Sequence, residues 1–325
     1  MHTWRSLIAV LAASTTVGVG AAADAAPTVS TMEWRITAPT NWVGDGREPV
    51  AFLNVATNDA GQIYVANFSG VLIYDTAAGS LQGAVVDATR TVLQYDDVEP
   101  MSDGSVWVAD SKSFNVYLLD PAGTVLRTIP SASADHPDGM HPNELEIGPD
   151  GNLYVMYSSA STVMQVFTPE GAFVRSFGMG DSKFSTGLID FAFGPDGNLY
   201  IAGYTSLRVL DPEGNLVVED FAPDFTAGST AGLHGIAVDP LGNVYVGGNA
   251  LAADGSLVAA VYQLDAAGEV GAQFGRAQQR INWGAEFQPE ELGFTVSVAV
   301  LPDGRLAISD LNGAYSQLMK VAMAP

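Results

Sequence analysis

One sixteen-residue pattern comes round six times in this chain, and that repetition leaves few folds open. "LNVATNDAGQIYVANF" begins at Leu53, "DDVEPMSDGSVWVADS" at Asp96 and "NELEIGPDGNLYVMYS" at Asn143. "IDFAFGPDGNLYIAGY" follows from Ile189, "HGIAVDPLGNVYVGGN" from His234 and "VSVAVLPDGRLAISDL" from Val296. Each copy is an alternating run, a turn ending in Gly, and a second run rich in Val, Ile, Tyr or Trp. The turn glycines are Gly61, Gly104, Gly151, Gly197, Gly242 and Gly304. Gly supplies the positive φ that tight hairpins require. A second hairpin follows most copies, as in "LLDPAGTVLRTI" from Leu118, "VFTPEGAFVRSF" from Val166 and "VLDPEGNLVVED" from Val209. "QLDAAGEVGAQF" from Gln263 and "YDTAAGSLQGAV" from Tyr74 are looser versions.

Two hairpins per unit make four strands, a to d, recurring about every 45 residues, and that is the blade of a β-propeller. The chain is therefore expected to be all-β: one six-bladed β-propeller of four-stranded antiparallel blades over residues 26–325. No stretch sustains a helical period. The sixth unit stops after three strands. "STMEWRIT" from Ser30 alternates correctly and has no hairpin partner nearby. Residues about 31–37 are expected to supply the missing outer strand, closing the ring and removing open edges.

Acids outnumber bases by 36 to 13, a formal charge of −23. That field repels phosphate backbones, so nucleic acid is not an expected partner. It suits cations, basic partners or plain solubility. The chain has no cysteine, which excludes disulfides, thiolate metal sites and a cysteine nucleophile. Residues 1–25 read as a secretory signal: a short start with Arg5, an apolar run from Ser6 to Gly20, and Ala23-Asp24-Ala25 as an A-x-A cleavage site. The run is too short and weak to span a bilayer. A secreted, periplasmic or cell-envelope location is expected, as a monomer.

The connections between units and the b–c loops share one face of such a ring. The turns containing Asp150, Asp196 and Asp303 lie on the other face and read as turn chemistry. Aligning the units places Asp96, Asp97, Asn143, Glu144, Asp190 and His234 where the innermost strands begin, around one funnel mouth. Glu99 and Glu146 stand where the other units have Ala56, Ala192, Ala237 and Ala299. Alternation sets Glu99 on the side of Asp97, and Glu146 on that of Glu144. Asp96, Asp97, Glu99, Asn143, Glu144, Glu146 and Asp190 are thus candidate ligands for a divalent cation, Ca²⁺ first, because hard cations take oxygen donors. A water-filled polar entrance accounts for the same residues. His234, Asp190 and Glu144 are the candidate bases for chemistry at the mouth.

His136 and His141 lie in the long connection before the third unit and, with His234, offer a three-histidine set without a zinc-site spacing. No G-x-S-x-G and no Gly-rich phosphate loop is present. Two connections meet at ring closure, carrying Trp42, Arg47, Arg276, Arg280 and Trp283. With His141 they are candidate ligand-binding residues, a basic-aromatic lip over an acidic funnel. Loop anchoring by buried Trp is the other use of the same residues.

The PDG and DPxGN turns resemble NHL repeats over about residues 50–323. "HPNELEIGPDGNLYV" from His141 is similar to a segment of the regucalcin/gluconolactonase propellers. That resemblance implies a divalent metal held by one Glu, two Asn and one Asp. Asn143 matches one Asn and Asp96 stands at the other, but Ile189 and Leu53 replace the Asp and the Glu. His234-Gly235 is similar to a strand start in virginiamycin B lyases. The resulting expectation is a binding module taking a small molecule, a cation or a protein at its mouth. A metal-dependent, lactonase-like hydrolase or lyase is the alternative.

Overall fold

The computed structural model describes residues 30–39, 52–68, 70–87, 89, 94–131, 140–158, 163–178, 188–203, 206–223, 225, 232–251, 257–275, 291–293, 295–311 and 315–323. These form six four-stranded antiparallel sheets arranged as the blades of one propeller. The innermost strands are Val55–Thr57, Tyr95–Pro100, His141–Ile147, Leu188–Phe193, Gly232–Val238 and Thr295–Val300, heading blades 1 to 6. Alternation along each strand buries a side chain against either neighbouring blade. The apolar core is accordingly split into clusters, one per junction. Val98, Val108 and Tyr64 join blades 1 and 2, and Leu145, Val155 and Trp107 join blades 2 and 3. Val298, Ile308 and Tyr245 join blades 5 and 6, and Val55, Val65 and Leu318 join blades 6 and 1. Each fully buried aliphatic side chain contributes about 1.5–3 kcal/mol, so every junction helps to hold the ring.

Blade 6 is completed by Thr31–Pro39, which pairs antiparallel with Tyr315–Ala322 from Thr31↔Ala322 to Pro39↔Tyr315. The strand predicted over about 31–37 is thus present and two residues longer. Polar contacts fasten it to the neighbouring blade. Trp34 Nε1 donates to Thr76 O at 3.1 Å, and Lys320 Nζ donates to the same carbonyl at 3.1 Å. Lys320 also lies 3.5 Å from Glu33 and 3.0 Å from Asp303.

The turns have the chemistry their residues predict. Asp150 Oδ1 accepts Asn152 N at 3.1 Å, and Asp196 Oδ1 accepts Asn198 N at 3.1 Å. Gly123 shows why the c–d turns need glycine. Its φ is +83°, and a Cβ there would lie 2.0 Å from Val86 O of the preceding blade. No helix among the described residues is long and apolar enough to cross a membrane. The proposed signal segment and His136 lie outside the described residues.

Candidate functional site

The innermost strands enclose an axial cavity of about 230 Å³. Strand pairing sets its rings. Asp97, Glu144, Asp190, Gly235 and Ser297 stand opposite Ala109, Met156, Ala202, Gly247 and Ser309 of the second strands. Asn54 occupies the same level in blade 1, where its carbonyl accepts Ala66 N at 2.9 Å. Two residues on, the ring is Ala56, Glu99, Glu146, Ala192, Ala237 and Ala299, and all six line the cavity. The acids Asp97, Glu99, Glu144, Glu146 and Asp190 all line it too, and among the described residues no Lys, Arg or His does. They come only from blades 2 to 4. On the opposite half Ala56, Ala237 and Ala299 stand at the level of Glu99 and Glu146, which leaves the cavity its room.

The residue before the upper ring is a β-bulge in four blades. Register shifts single out Asp96, Asn143, Ile189 and His234. A bulge leaves its extra residue unpaired and re-aims the side chain. Asp96 and Asn143, grouped with the cavity acids on sequence, do not line it. Asp96 accepts from Gln94 Nε2 at 3.3 Å. Burial raises its pKa and the Asp110 charge adds to the rise, while bonds from Ser111 and Gln94 and the nearby His141 act against it. His141 is exposed at the start of its strand. Its ring lies 4.5 Å from that of Phe114, a non-glycine residue at φ +58°. His234 Nε2 lies 3.3 Å from Asn249 Nδ2, and burial lowers its pKa, favouring neutral imidazole. Trp42, Arg47, Arg276, Arg280 and Trp283 lie outside the described residues.

Sequence reasoning missed what the cavity acids hold. Most of them accept a backbone amide from the next blade. Asp97 Oδ2 takes Leu145 N at 2.7 Å, and Asp190 Oδ2 takes Ile236 N at 2.8 Å. Glu99 takes Ile147 N at 3.4 Å, and Glu146 takes Phe193 N at 3.0 Å. The repeat offset of 46–48 residues across these bonds was the available signal. Glu144 differs. It hydrogen-bonds Asp97 and accepts from Asn54 Nδ2 across the ring. Asn54 Oδ1 in turn accepts from Ser297 Oγ. A polar chain thus runs from blade 6 through blade 1 to blades 3 and 2.

Burial makes charge in this cavity unfavourable. It pushes Asp97 up to about 7 against its two amide bonds, and Asp190 up to about 8. Glu99 rises to about 8 through burial and the Asp97 charge. Burial, then the charges of Asp190 and Asp97, hold Glu144 well above the carboxylate range. Burial and the Glu99 charge do the same for Glu146. At neutral pH the cluster retains protons, and Glu144 is the donor towards Asp97. Among the described residues, no three His, Asp or Glu side chains stand at metal-ligand spacing.

Known proteins agree with this architecture. The family described as SBBP, beta-propeller repeat, matches residues 225–255, within blade 5 and its approach. No curated protein sequence matches the chain. Among solved structures, a calcium-binding protein, regucalcin, from Agrobacterium tumefaciens is similar at 17% identity and TM-score 0.57, covering 84% of this chain and 92% of that one. A gluconolactonase from Xanthomonas campestris is similar at 14% identity and TM-score 0.56, covering 83% and 87%. Virginiamycin B lyase from Staphylococcus aureus is similar at 9% identity and TM-score 0.56, covering 90% and 99%. At such identities the likeness concerns the fold. The chain is a six-bladed β-propeller that carries one matched beta-propeller repeat over residues 225–255, with regucalcin- and gluconolactonase-like propellers among its structural neighbours.

Proposed function

We propose that this chain is an exported binding module whose axial cavity takes a hard divalent cation, Ca²⁺ foremost, through the funnel mouth. The observation that carries the reading is the lining: five carboxylates in one cavity, with no basic side chain among the described residues that line it. Two like charges about 4 Å apart repel by roughly 4 kcal/mol at an effective dielectric near 20. Protons relieve that repulsion below neutral pH, and a cation relieves it above. The donor chemistry fits, because Asp97, Glu144, Asp190 and the Asn54 carbonyl are all oxygen donors. The acids stand apart on protons and backbone amides, so cation binding is coupled to release of the Asp97–Glu144 proton. A calcium-binding protein among the structural neighbours supports the choice of ion.

The test is thermal unfolding at about pH 8 with Ca²⁺ or with chelator. At a hundred times its dissociation constant, Ca²⁺ should stabilise the fold by about 2.7 kcal/mol. Glu144→Gln should abolish that response. Identical melting of the wild type with metal and with chelator would point to a wet polar channel instead. A hydrolase or lyase using the same mouth is favoured by one observation, the neutral His234 held beside Asn249. Turnover of lactones that His234→Ala abolishes would select it.

A further inference from the structure

Blade 6 carries another buried acid, Asp310, which does not line the axial cavity. It lies on the second strand, Leu306–Leu311, directly opposite Gln317 of the third strand. Both side chains are fully buried. Asp310 Oδ2 accepts Gly293 N at 2.6 Å and Gln317 Nε2 at 2.9 Å. The same Gln317 amide group donates to Glu291 O at 2.7 Å. Asp310 Oδ1 and Gln317 Oε1 remain, both buried and neither with a hydrogen-bond partner. Reversing the Gln317 amide would set its oxygen against two other acceptors, so its orientation is fixed by its surroundings. A buried acceptor left unsatisfied is destabilising, and here there are two, on adjacent groups.

One proton satisfies both. We propose that Asp310 is a neutral carboxylic acid in the folded protein, donating from Oδ1 to Gln317 Oε1. The resulting acid–amide pair fastens Glu291–Gly293 to blade 6 as a pH-sensitive latch. The proton comes from solvent as the chain folds, and no other bond forms or breaks. Burial pushes Asp310 up to about 7 against Gln317 and the Gly293 and Leu311 amides, and the charge of Glu291 adds to the rise. The other groups packed here do not offset this. The innermost strand of blade 6 is TVSVAV and carries no charge. Lys320, on the third strand, is engaged by Asp303 and Glu33. On blade 5, which packs against that innermost strand, His234 is held towards neutral by burial. Above neutral pH the Asp310 anion faces the Gln317 oxygen, and the latch loosens.

Asp310→Asn tests this, because asparagine reproduces the neutral acid: its amide nitrogen donates to Gln317 and its oxygen still accepts. The variant should melt with the wild type near pH 4, progressively above it as pH rises to about 7, and by a constant margin beyond that. Melting below the wild type at every pH, failure to fold at about pH 5.5, or a pH-independent difference would each overturn the assignment. A second measurement uses the wild type alone. Protection of the Gly293 amide, corrected for intrinsic exchange, should fall by up to tenfold per pH unit between about pH 4 and pH 7 and level off above, while Ile308 stays protected. Constant Gly293 protection across that range would overturn it independently.

Discussion

Replacing Glu99 by Gln isolates the free energy of keeping an acid in the axial cavity. In the folded protein Glu99 titrates at about 8 instead of 4.5, chiefly through burial. Below about pH 4.5 it is neutral in both folded and unfolded chains. Between there and about pH 8 only the unfolded chain ionises, so wild-type stability falls as pH rises; above that the loss is complete. At about 1.4 kcal/mol per pH unit the ceiling is near 5 kcal/mol. The side chain is only partly buried and faces the cavity, so allowing about half for screening leaves roughly 2 kcal/mol. Gln is neutral at every pH and keeps an oxygen for the Ile147 amide. Urea unfolding with chelator present should therefore give equal stabilities near pH 4.5. Near pH 8 Glu99→Gln should be more stable by roughly 2 kcal/mol, or about 4 °C in Tm. A variant less stable than the wild type near pH 8, or a difference that ignores pH, would refute the burial argument.

Three further outcomes are expected. Asp190→Ala leaves the buried Ile236 amide without its acceptor and should lower stability by about 1–3 kcal/mol, whereas Asp190→Asn keeps an acceptor and should lose much less in urea unfolding. Trp34→Ala removes a ring packed on Gly79 and the Thr76 bond; it should cost about 3 kcal/mol and leave blade 6 most open to proteolysis. Mass spectrometry of protein recovered from culture medium or envelope should show a chain starting at Ala26, or at Asp24, and Met1 retained there would count against export.

The repeats made the fold legible because each blade carries its own complete local signal: alternation for the strands, Asp and Gly for the turns. Ring closure was legible because Thr31–Pro39 alternates with no hairpin partner nearby. The axial acids were legible because equivalent positions in a repeat share an environment, so Glu99 and Glu146 stand out against four alanines. Two things were hidden. Counting residues along a strand assumes an unbroken pleat, and the bulges at Asp96 and Asn143 break it just above the ring. The amides that Asp97 and Asp190 accept belong to a neighbouring blade, and in the sequence only the repeat offset of 46–48 residues hinted that these acids also join blades. Asp310 had no such contrast, since Asp110 occupies the equivalent position in blade 2, where it caps a turn through Lys112 N at 3.0 Å.

The binding claim meets its most direct test in crystals grown with Ca²⁺ at about pH 8, with anomalous scattering recorded near the axis. A peak in the axial cavity, with carboxylate oxygens of Glu144 and of Asp97 or Asp190 about 2.3–2.6 Å away, is the predicted result. Water alone in that cavity at saturating Ca²⁺ would contradict it.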